Sequence, residues 1–536
     1  MANGFAIAET YFLIVLGATG IHQPKLVYQS LIFNLQSEIP MTSPKDAAVI
    51  ILLRQNTNPN NPEVYWVKRS EKLAFLGGYY AFPGGQIDSP DAEVTVRNTP
   101  DLNTAAMVSG AARELFEETG VLVAHGGEQL TKGQRASLLD DLSSGRMSWP
   151  NLLKHYELHL DANDFTFAGR WVTPPFSPRR FDTWFFLVNC PPKQEPSIVS
   201  GEHLHGEWIS AADALERWSN SDVTIVPPIL HALKTLAGGL TSDLQQRFLS
   251  VAQAHGEPAR RIEFRPNYIC FPVRTPTRPP ATHTNCYLIY SSDEILIIDP
   301  GSPYDDEQQA LNSCVDELLS EGRTAREIIL THLHPDHVGG VEALKEHLRG
   351  SVSVAAHRET AEALTDIKVD RLIEDNELVS LSGQPEISLR ALHTPGHARG
   401  HLCFHDERRG VLLTGDNIVG LGSVLIDPPQ GNMIDYLKSL ERMRSVPGLT
   451  ILFGGHGAAI ASPYAKIDEY IAHRLDREAK ILEAVKSGVT APSDIVSAVY
   501  MDVSPKAHAM AERAVLAHLE KLQTEGKLVN YQEPIG

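Results

Sequence analysis

Paired cysteines are missing from this chain of 536 residues. Its five cysteines (Cys190, Cys270, Cys286, Cys314 and Cys403) are scattered, with no Cys-x-x-Cys pair. That argues against a disulfide framework and fits a reducing, cytoplasmic compartment. An excess of basic residues is also missing. There are 47 Lys+Arg against 66 Asp+Glu, a formal charge of -19. A global basic footprint for nucleic acid is thereby ruled out, and anionic ligands must be met by local cations or metal ions. No apolar run is long enough for a membrane span. Internal repeats and low-complexity tracts are absent as well. What remains is an ordinary globular balance, 42% hydrophobic and 21% charged. At roughly 150 residues per domain, three or four domains are expected.

The N-terminal stretch Tyr11–Ala18 (YFLIVLGA) is apolar but has no Lys or Arg before it, unlike a secretory leader. Residues 1–43 read as a poorly ordered extension, with MTSPKDAAVIILLR from Met41 as a domain start. AAVIILL (47–53) reads as a buried strand and EVYWVKR as its hairpin partner. GGYYAFPGG is a glycine-rich loop. The pattern predicts a helix over about 104–119, an insert over 126–160, and strands near AGRWV and DTWFFLV. A second unit begins near Ile262 and alternates strand, loop and helix, the signature of layered α/β structure. From about 463 the chain reads as helical, closing on KLVNYQ as a short strand. The expected division is 44–235, a linker 236–262, 263–460, and 461–536.

The densest chemistry lies in Thr331-His332-Leu333-His334-Pro335-Asp336-His337, directly after the apolar strand EIIL. A strand end is a rigid platform for a loop that aims several side chains into one pocket. Imidazoles with a carboxylate suit zinc or a similar borderline ion. His397 in TPGHARGH and His456 in FGGHG sit among glycines, which let backbone approach a crowded site. Asp416 in LLTGDN ends another apolar strand.

Together these residues resemble the metallo-β-lactamase superfamily, over roughly 265–460. The resemblance implies an αβ/βα sandwich with two metals, Zn²⁺ or else Mn²⁺ or Fe²⁺, at the sheet edges. It implies that His332, His334 and His397 hold one ion. Asp336, His337 and His456 would hold the other, with Asp416 bridging. Asp336 would also act catalytically, orienting water and managing its proton. Asp299 and His401 look like supports behind the ligands. Two cations sharing a water generate a nucleophile at neutral pH, which serves thioesters, lactones and phosphodiesters alike. The helical tail resembles the winged-helix appendage of the β-lactamase-like protein 2 group, which includes single-strand endoribonucleases. With 9 Lys+Arg against 11 Asp+Glu over 461–536, a net of -2, the tail gives no strong nucleic-acid signal.

A second cluster is Arg113-Glu114-Leu115-Phe116-Glu117-Glu118-Thr119-Gly120-Val121. On a helix, Glu114, Glu117 and Glu118 share one face, where their like charges repel unless cations neutralise them. Mg²⁺ favours carboxylate oxygens and bridges them to substrate phosphates. Arg113 is placed to orient Glu117. This stretch, with Phe82-Pro83-Gly84-Gly85 upstream, resembles the Nudix hydrolases over roughly 44–235. The resemblance implies an α/β/α sandwich and Mg²⁺- or Mn²⁺-dependent hydrolysis of a nucleoside diphosphate derivative. Glu117 and Glu118 would bind metal, Glu114 would bind metal or act as base, and Gly84 and Gly85 would line the substrate site. Gly85 to Arg113 spans 28 positions, so about 14 residues exceed the usual spacing, and Asp88 and Glu93 are candidates for the acid expected between them. SPRRFDTWFFLV and the run Arg69, Ser70, Gly78, Phe82 resemble the coenzyme A diphosphatase branch, except that Ala74 stands where a second Arg is expected. Arg69 is a substrate-binding candidate. Arg179 and Arg180 are candidate phosphate ligands, and Glu202 or Glu207 a candidate late metal ligand.

The expected fold class is therefore multidomain α/β: two different sandwiches and a small winged-helix-like domain. The expected function is a bifunctional metal-dependent hydrolase acting on small molecules with diphosphate or thioester groups. A single-activity hydrolase regulated by a nucleotide-sensing Nudix unit is the alternative, with a single-strand endoribonuclease as a further one. No membrane partner is expected, and association with further copies of the chain is left open.

Overall fold

A computed structural model describes residues 43–528, apart from 55, 74–75 and 200. The readings of residues 1–42, of Ala74 and of the strand expected from KLVNYQ beyond 528 lie outside the described residues.

The first unit is built on the strand Lys45–Leu53, which lies at the middle of a seven-stranded mixed sheet. It runs parallel to Phe181–Asn189, in register from Lys45↔Phe181 to Leu53↔Asn189, and antiparallel to Glu63–Arg69 and Gly84–Gln86. Side chains alternate across a strand. Ala48, Ile50 and Leu52 therefore face the helix Leu102–Thr119, while Ile51 and Leu53 face the helices Ala211–Ser219 and Pro227–Ala237. Both faces are covered, which is why this strand reads as an uninterrupted apolar run rather than an alternating one.

The stretch expected as an insert, 126–160, folds into the helices Lys132–Ser143 and Trp149–His155. They bury Leu138, Leu142, Trp149 and Leu152 against Phe116 and its neighbours. The stretch expected as a linker, 236–262, also packs: it carries the helix Leu244–Phe248, and Phe248 is buried with the first unit's second face.

The second unit has two sheets face to face. One has seven strands, from Ile262–Arg265 to Arg371–Leu372, and the other five, from Leu378–Leu381 to Ile451–Gly454. Leu296, Ile329, Leu389, Phe404, Leu413 and Phe453 fill the layer between them. Helix Asp305–Ser320 covers the outer face of the first sheet, and helices Met433–Arg444 and Pro463–Lys486 that of the second. The result is an αβ/βα sandwich. The 24-residue helix Pro463–Lys486 runs on into a small helical cluster with Pro492–Val499 and His508–Thr524, closed over Ile481, Val496, Val515 and Leu522. All five cysteines are unpaired and buried. No helix among the described residues is long and apolar enough to cross a membrane.

The units are joined by more than the chain. Trp218 Nε1 donates to the carbonyl of Phe264 at 3.3 Å, Arg265 donates to the carbonyl of Val223, and Tyr79 Oη donates to the carbonyl of Ala459 at 2.9 Å. Tyr79 is buried within the second unit's inter-sheet core.

The buried indole of Trp149 donates to Ser109 Oγ at 3.2 Å and packs near Phe116. Replacing it by Ala leaves a large void and an unpartnered hydroxyl, at a cost of about 3–5 kcal/mol. Urea denaturation of Trp149→Ala, followed by circular dichroism, is expected to show the early loss of a cooperative transition. An unchanged profile would mean that 126–160 is a detachable appendage.

Candidate metal centres

Five strands of the second unit end at one edge, and each hands over a piece of the site. Glu294–Ile298 leads to Asp299, Thr324–Ile329 to the run Thr331–His337, and Ile387–His393 to His397. Val411–Gly415 leads to Asp416 and Ile451–Gly454 to His456. Pro335 opens a one-turn helix, Pro335–Val338, that swings Asp336 and His337 back toward the same edge. Gly301 is required there: a Cβ would stand 1.8 Å from the carbonyl oxygen of Asp336.

His332 Nε2 and His397 Nε2 each lie 2.9 Å from His334 Nδ1. The neighbours determine what those nitrogens carry. His397 Nδ1 donates to the carbonyl of Leu425 at 2.9 Å, so its Nε2 presents a lone pair. Thr331 Oγ1 donates to Asp299 Oδ2 at 2.6 Å and therefore accepts from His332 Nδ1 at 3.0 Å, which leaves His332 Nε2 a lone pair too. Burial, with neighbouring imidazoles, holds His332 well below the usual histidine range and His334 down to about 3. Burial also lowers His397. His334 Nδ1–H can donate to only one of these two lone pairs at a time, whereas a cation among the three nitrogens would meet all of them.

The adjoining group is of mixed charge. His337 Nε2 lies 3.3 Å from Asp416 Oδ1 and 3.9 Å from Asp336 Oδ2. His456 Nε2 lies 3.3 Å from Asp416 Oδ2 and 3.5 Å from Asp336 Oδ2. Asp416 Oδ2 is also 3.8 Å from His397 Nε2, so this carboxylate stands between the two sets of histidines. Burial alone would depress His337 and His456, but the carboxylates around them outweigh it and raise both. His337 Nε2 and Asp416 Oδ1 are buried without a hydrogen-bond partner, a costly arrangement that a bound cation relieves. The donor set of imidazoles and carboxylates thus fits divalent metal.

Asp299 accepts the backbone N–H of Thr331 at 2.8 Å and His337 Nδ1–H at 2.8 Å, at a positive φ of 54° that aspartate tolerates. It steers two histidines at once. His401 Nε2 accepts the backbone N–H of Asp416 at 3.2 Å, and its ring lies where a Cβ on Gly415 would meet it at 2.6 Å. It therefore acts on Asp416 through the backbone. The carbonyl of His283 holds His456 by Nδ1 at 2.8 Å, a support that no spacing in the sequence announces.

In the first unit, Arg113 is the hub. Its Nε and Nη2 reach Asp91 Oδ1 and Oδ2, both at 2.9 Å, and its Nη1 reaches Glu114 at 2.9 Å and Glu117 at 2.7 Å. Asp91, fully buried, is held more closely by Arg113 than either candidate named from the sequence, Asp88 or Glu93. Asp88 is largely exposed and 3.7 Å from Arg113, and Glu93 is exposed. The available signal was the Asp88-x-x-Asp91 box, in which Asp91 closes back on the backbone of Asp88 at 2.8 Å. Much of the extra length before Arg113 is taken up by the helix itself, which runs 18 residues from Leu102.

Gly84 N–H donates to Glu118 Oε2 at 3.0 Å, and a Cβ on Gly85 would lie 2.6 Å from the Glu114 carboxyl carbon. The loop's glycines therefore let backbone press onto the carboxylate face. Burial, reinforced by Glu118 and Glu117 and opposed by Arg113, pushes Glu114 up to about 8; burial raises Glu117 as well. His203, missed from the sequence, places Nε2 2.8 Å from Glu118 Oε1 in a buried setting. Arg69 is half-buried, within the fields of Glu118 and Glu202. Glu207 instead accepts from Arg217 at 2.6 Å and Trp66 at 3.3 Å, apart from this cluster. Arg180 is turned to the carbonyl of Thr173 at 3.0 Å, and Arg179 is exposed.

The comparisons with known proteins agree with the second half of this picture. Residues 279–456 match the metallo-beta-lactamase superfamily, and residues 491–533 match the beta-lactamase associated winged helix domain. The beta-lactamase-like protein 2 homolog of Drosophila melanogaster is 33% identical, over 46% of this chain and 84% of its own. That of Caenorhabditis elegans is 27% identical, over 46% and 81%. A solved NUDIX hydrolase from Alicyclobacillus acidocaldarius is 30% identical, covering 40% of this chain and 99% of its own at a TM-score of 0.33. The chain belongs to the metallo-β-lactamase superfamily of hydrolases. Its relatives include the β-lactamase-like protein 2 homologues.

The Arg113–Asp91 pair is buried and bidentate, so removing one charge strands the other. Asp91→Asn is expected to cost about 3–5 kcal/mol, read as a lowered melting temperature. Asp88→Asn is expected to leave the melting temperature nearly unchanged. Equal effects would refute the assignment.

Proposed function

We propose that the chain is a bifunctional hydrolase: a dinuclear thioester hydrolase in the second unit and a Nudix pyrophosphohydrolase in the first. The observation that carries the first half is the approach of His332 Nε2 and His397 Nε2 to 2.9 Å from His334 Nδ1, with Asp416 between these rings and a second set. In this reading His332, His334 and His397 would hold one zinc-like ion and Asp336, His337 and His456 the other, with Asp416 within reach of both sets. Such ions would supply Lewis acidity and acidify water at neutral pH. Asp336 would orient the attacking water and take up its proton. Asp299 and His401 hold the ligands in register, so little reorganisation is needed during reaction. A relative bearing on substrate is the atrochrysone carboxyl ACP thioesterase of Cryptosporiopsis sp., 27% identical over 45% of this chain and 69% of its own. An acyl thioester is the substrate class that this likeness favours.

In the first unit Glu114, Glu117 and Glu118 would hold Mg²⁺ or Mn²⁺, with Arg113 and Asp91 fixing the helix face and Gly84, Gly85 and Arg69 meeting a diphosphate. Coenzyme A derivatives fit both halves: a thioester for one centre and a diphosphate for the other. The supporting geometry is the carboxylate face pressed against the Gly84–Gly85 backbone.

Two measurements test this. Metal analysis of the purified protein is expected to find about two transition-metal ions per chain, and Asp416→Ala is expected to lose most of both. With a panel of acyl thioesters, Asp336→Ala is expected to lower turnover by roughly 10²–10⁴-fold. Glu117→Gln should do the same to Mg²⁺-dependent diphosphate cleavage and leave thioester turnover intact. If Asp336→Ala leaves every thioester rate untouched, the first half fails. Diphosphate binding without phosphate release would make the first unit a sensor.

A further inference from the structure

Between the two units lies a cavity of about 690 Å³ that neither proposed metal centre uses. This is within the range of sites that take small ligands, about 300–1,000 Å³. One wall comes from the first unit, with Trp171, Phe176, Phe181 and Phe185; the other comes from the second, with Phe264 and Ala461. The charged lining residues, Glu71, Lys72, Lys466 and Glu469, carry two charges of each sign. Lys466 is paired with Glu469 at 2.9 Å, and Glu71 lies 3.6 Å from Lys68. A ligand whose body is charged gains nothing from such a lining, whereas hydrocarbon gains the burial of its whole length.

The cavity also lies beside the dinuclear centre. Gly457, which follows the ligand His456, lines it, as does Gly420, whose N–H donates to the carbonyl of His456 at 2.7 Å. Phe176 reaches across from the first unit to lie 5.6 Å from the ring of His283, whose carbonyl holds His456. The walls are held in place: Tyr79 is hydrogen-bonded to Ala459, and a Cβ on Gly78 would already touch Ala461 at 3.2 Å.

We infer that this cavity binds the hydrocarbon chain of an acyl thioester, so that the first unit supplies half of the chain-length specificity of the second. The inference rests on the thioester reading of the metal centre. It commits the substrate to a medium or long acyl group and gives the fusion a physical purpose beyond tethering.

The test uses the full chain and two readouts. In the first, 11-(dansylamino)undecanoic acid is titrated against the protein. Its fluorescence is expected to rise, to be reversed by dodecanoate but not butanoate, and to need roughly tenfold more probe in Phe176→Ala and in Ala461→Trp. In the second, pantetheine thioesters from butanoyl to dodecanoyl are compared. The wild type is expected to favour dodecanoyl by about 100-fold in kcat/KM, chiefly through KM, far short of what burying eight methylenes permits. Both variants are expected to bring that ratio toward one.

Retained metal content guards against misfolding. Should no thioester be cleaved while the probe still binds and both variants weaken it, the cavity stands as an acyl-chain site and the thioester reading falls. Should thioesters be cleaved without chain-length preference, or the probe bind both variants as tightly as the wild type, the inference is overturned.

Discussion

Crowding of imidazoles and carboxylates at one sheet edge is the constraint that organises the second unit. His332 and His397 are buried and His334 half-buried, and two Nε2 lone pairs converge on a single Nδ1 of His334 that can donate to only one of them. A step away Asp416 Oδ1 and His337 Nε2 are buried with no hydrogen-bond partner, 3.3 Å apart. Two packed sheets hold this crowding in place. Thr331, Asp299, Leu425 and His283 each fix a ring by its far nitrogen or through a relay, so that the near nitrogens have no alternative partner. The arrangement is thus preformed by the outer hydrogen bonds, and a divalent metal held there would satisfy groups that the fold leaves without partners.

The first unit repeats the principle with opposite charge. Glu114, Glu117 and Glu118 crowd one helix face, and here the conflict is eased by an internal cation, Arg113, which is itself anchored by the buried Asp91. Arg113 spends donors on Glu114 and Glu117 while Asp91 takes two others. The helix face is therefore anchored from below by the Asp91–Arg113 pair.

Much of this could be read from the chain because ligands follow apolar strands closely. EIIL before His332 and LLTG before Asp416 mark strand ends, and strand ends in such a sandwich share an edge. The supports were harder to see. The hold of His283 on His456 is a backbone carbonyl, which carries no residue signature, and His203 meets Glu118 only because its strand lies beside Glu63–Arg69. Asp91 was hidden by displaced spacing: with the helix extended back to Leu102, distance along the chain no longer measured distance from Arg113. The stretches 126–160 and 236–262 read as an insert and a linker because they lie between the recognised motifs. Each nevertheless plugs one face of the first sheet.

The hydroxyl of Tyr79 reaches the carbonyl of Ala459, three residues beyond the ligand His456. A side chain of the first unit thus serves as a keystone for a loop of the second. Severing the molecule at the junction would leave the later half with an unplugged socket beside its own histidine. Each half would then be a wounded fragment, and its behaviour would describe the cut rather than the enzyme.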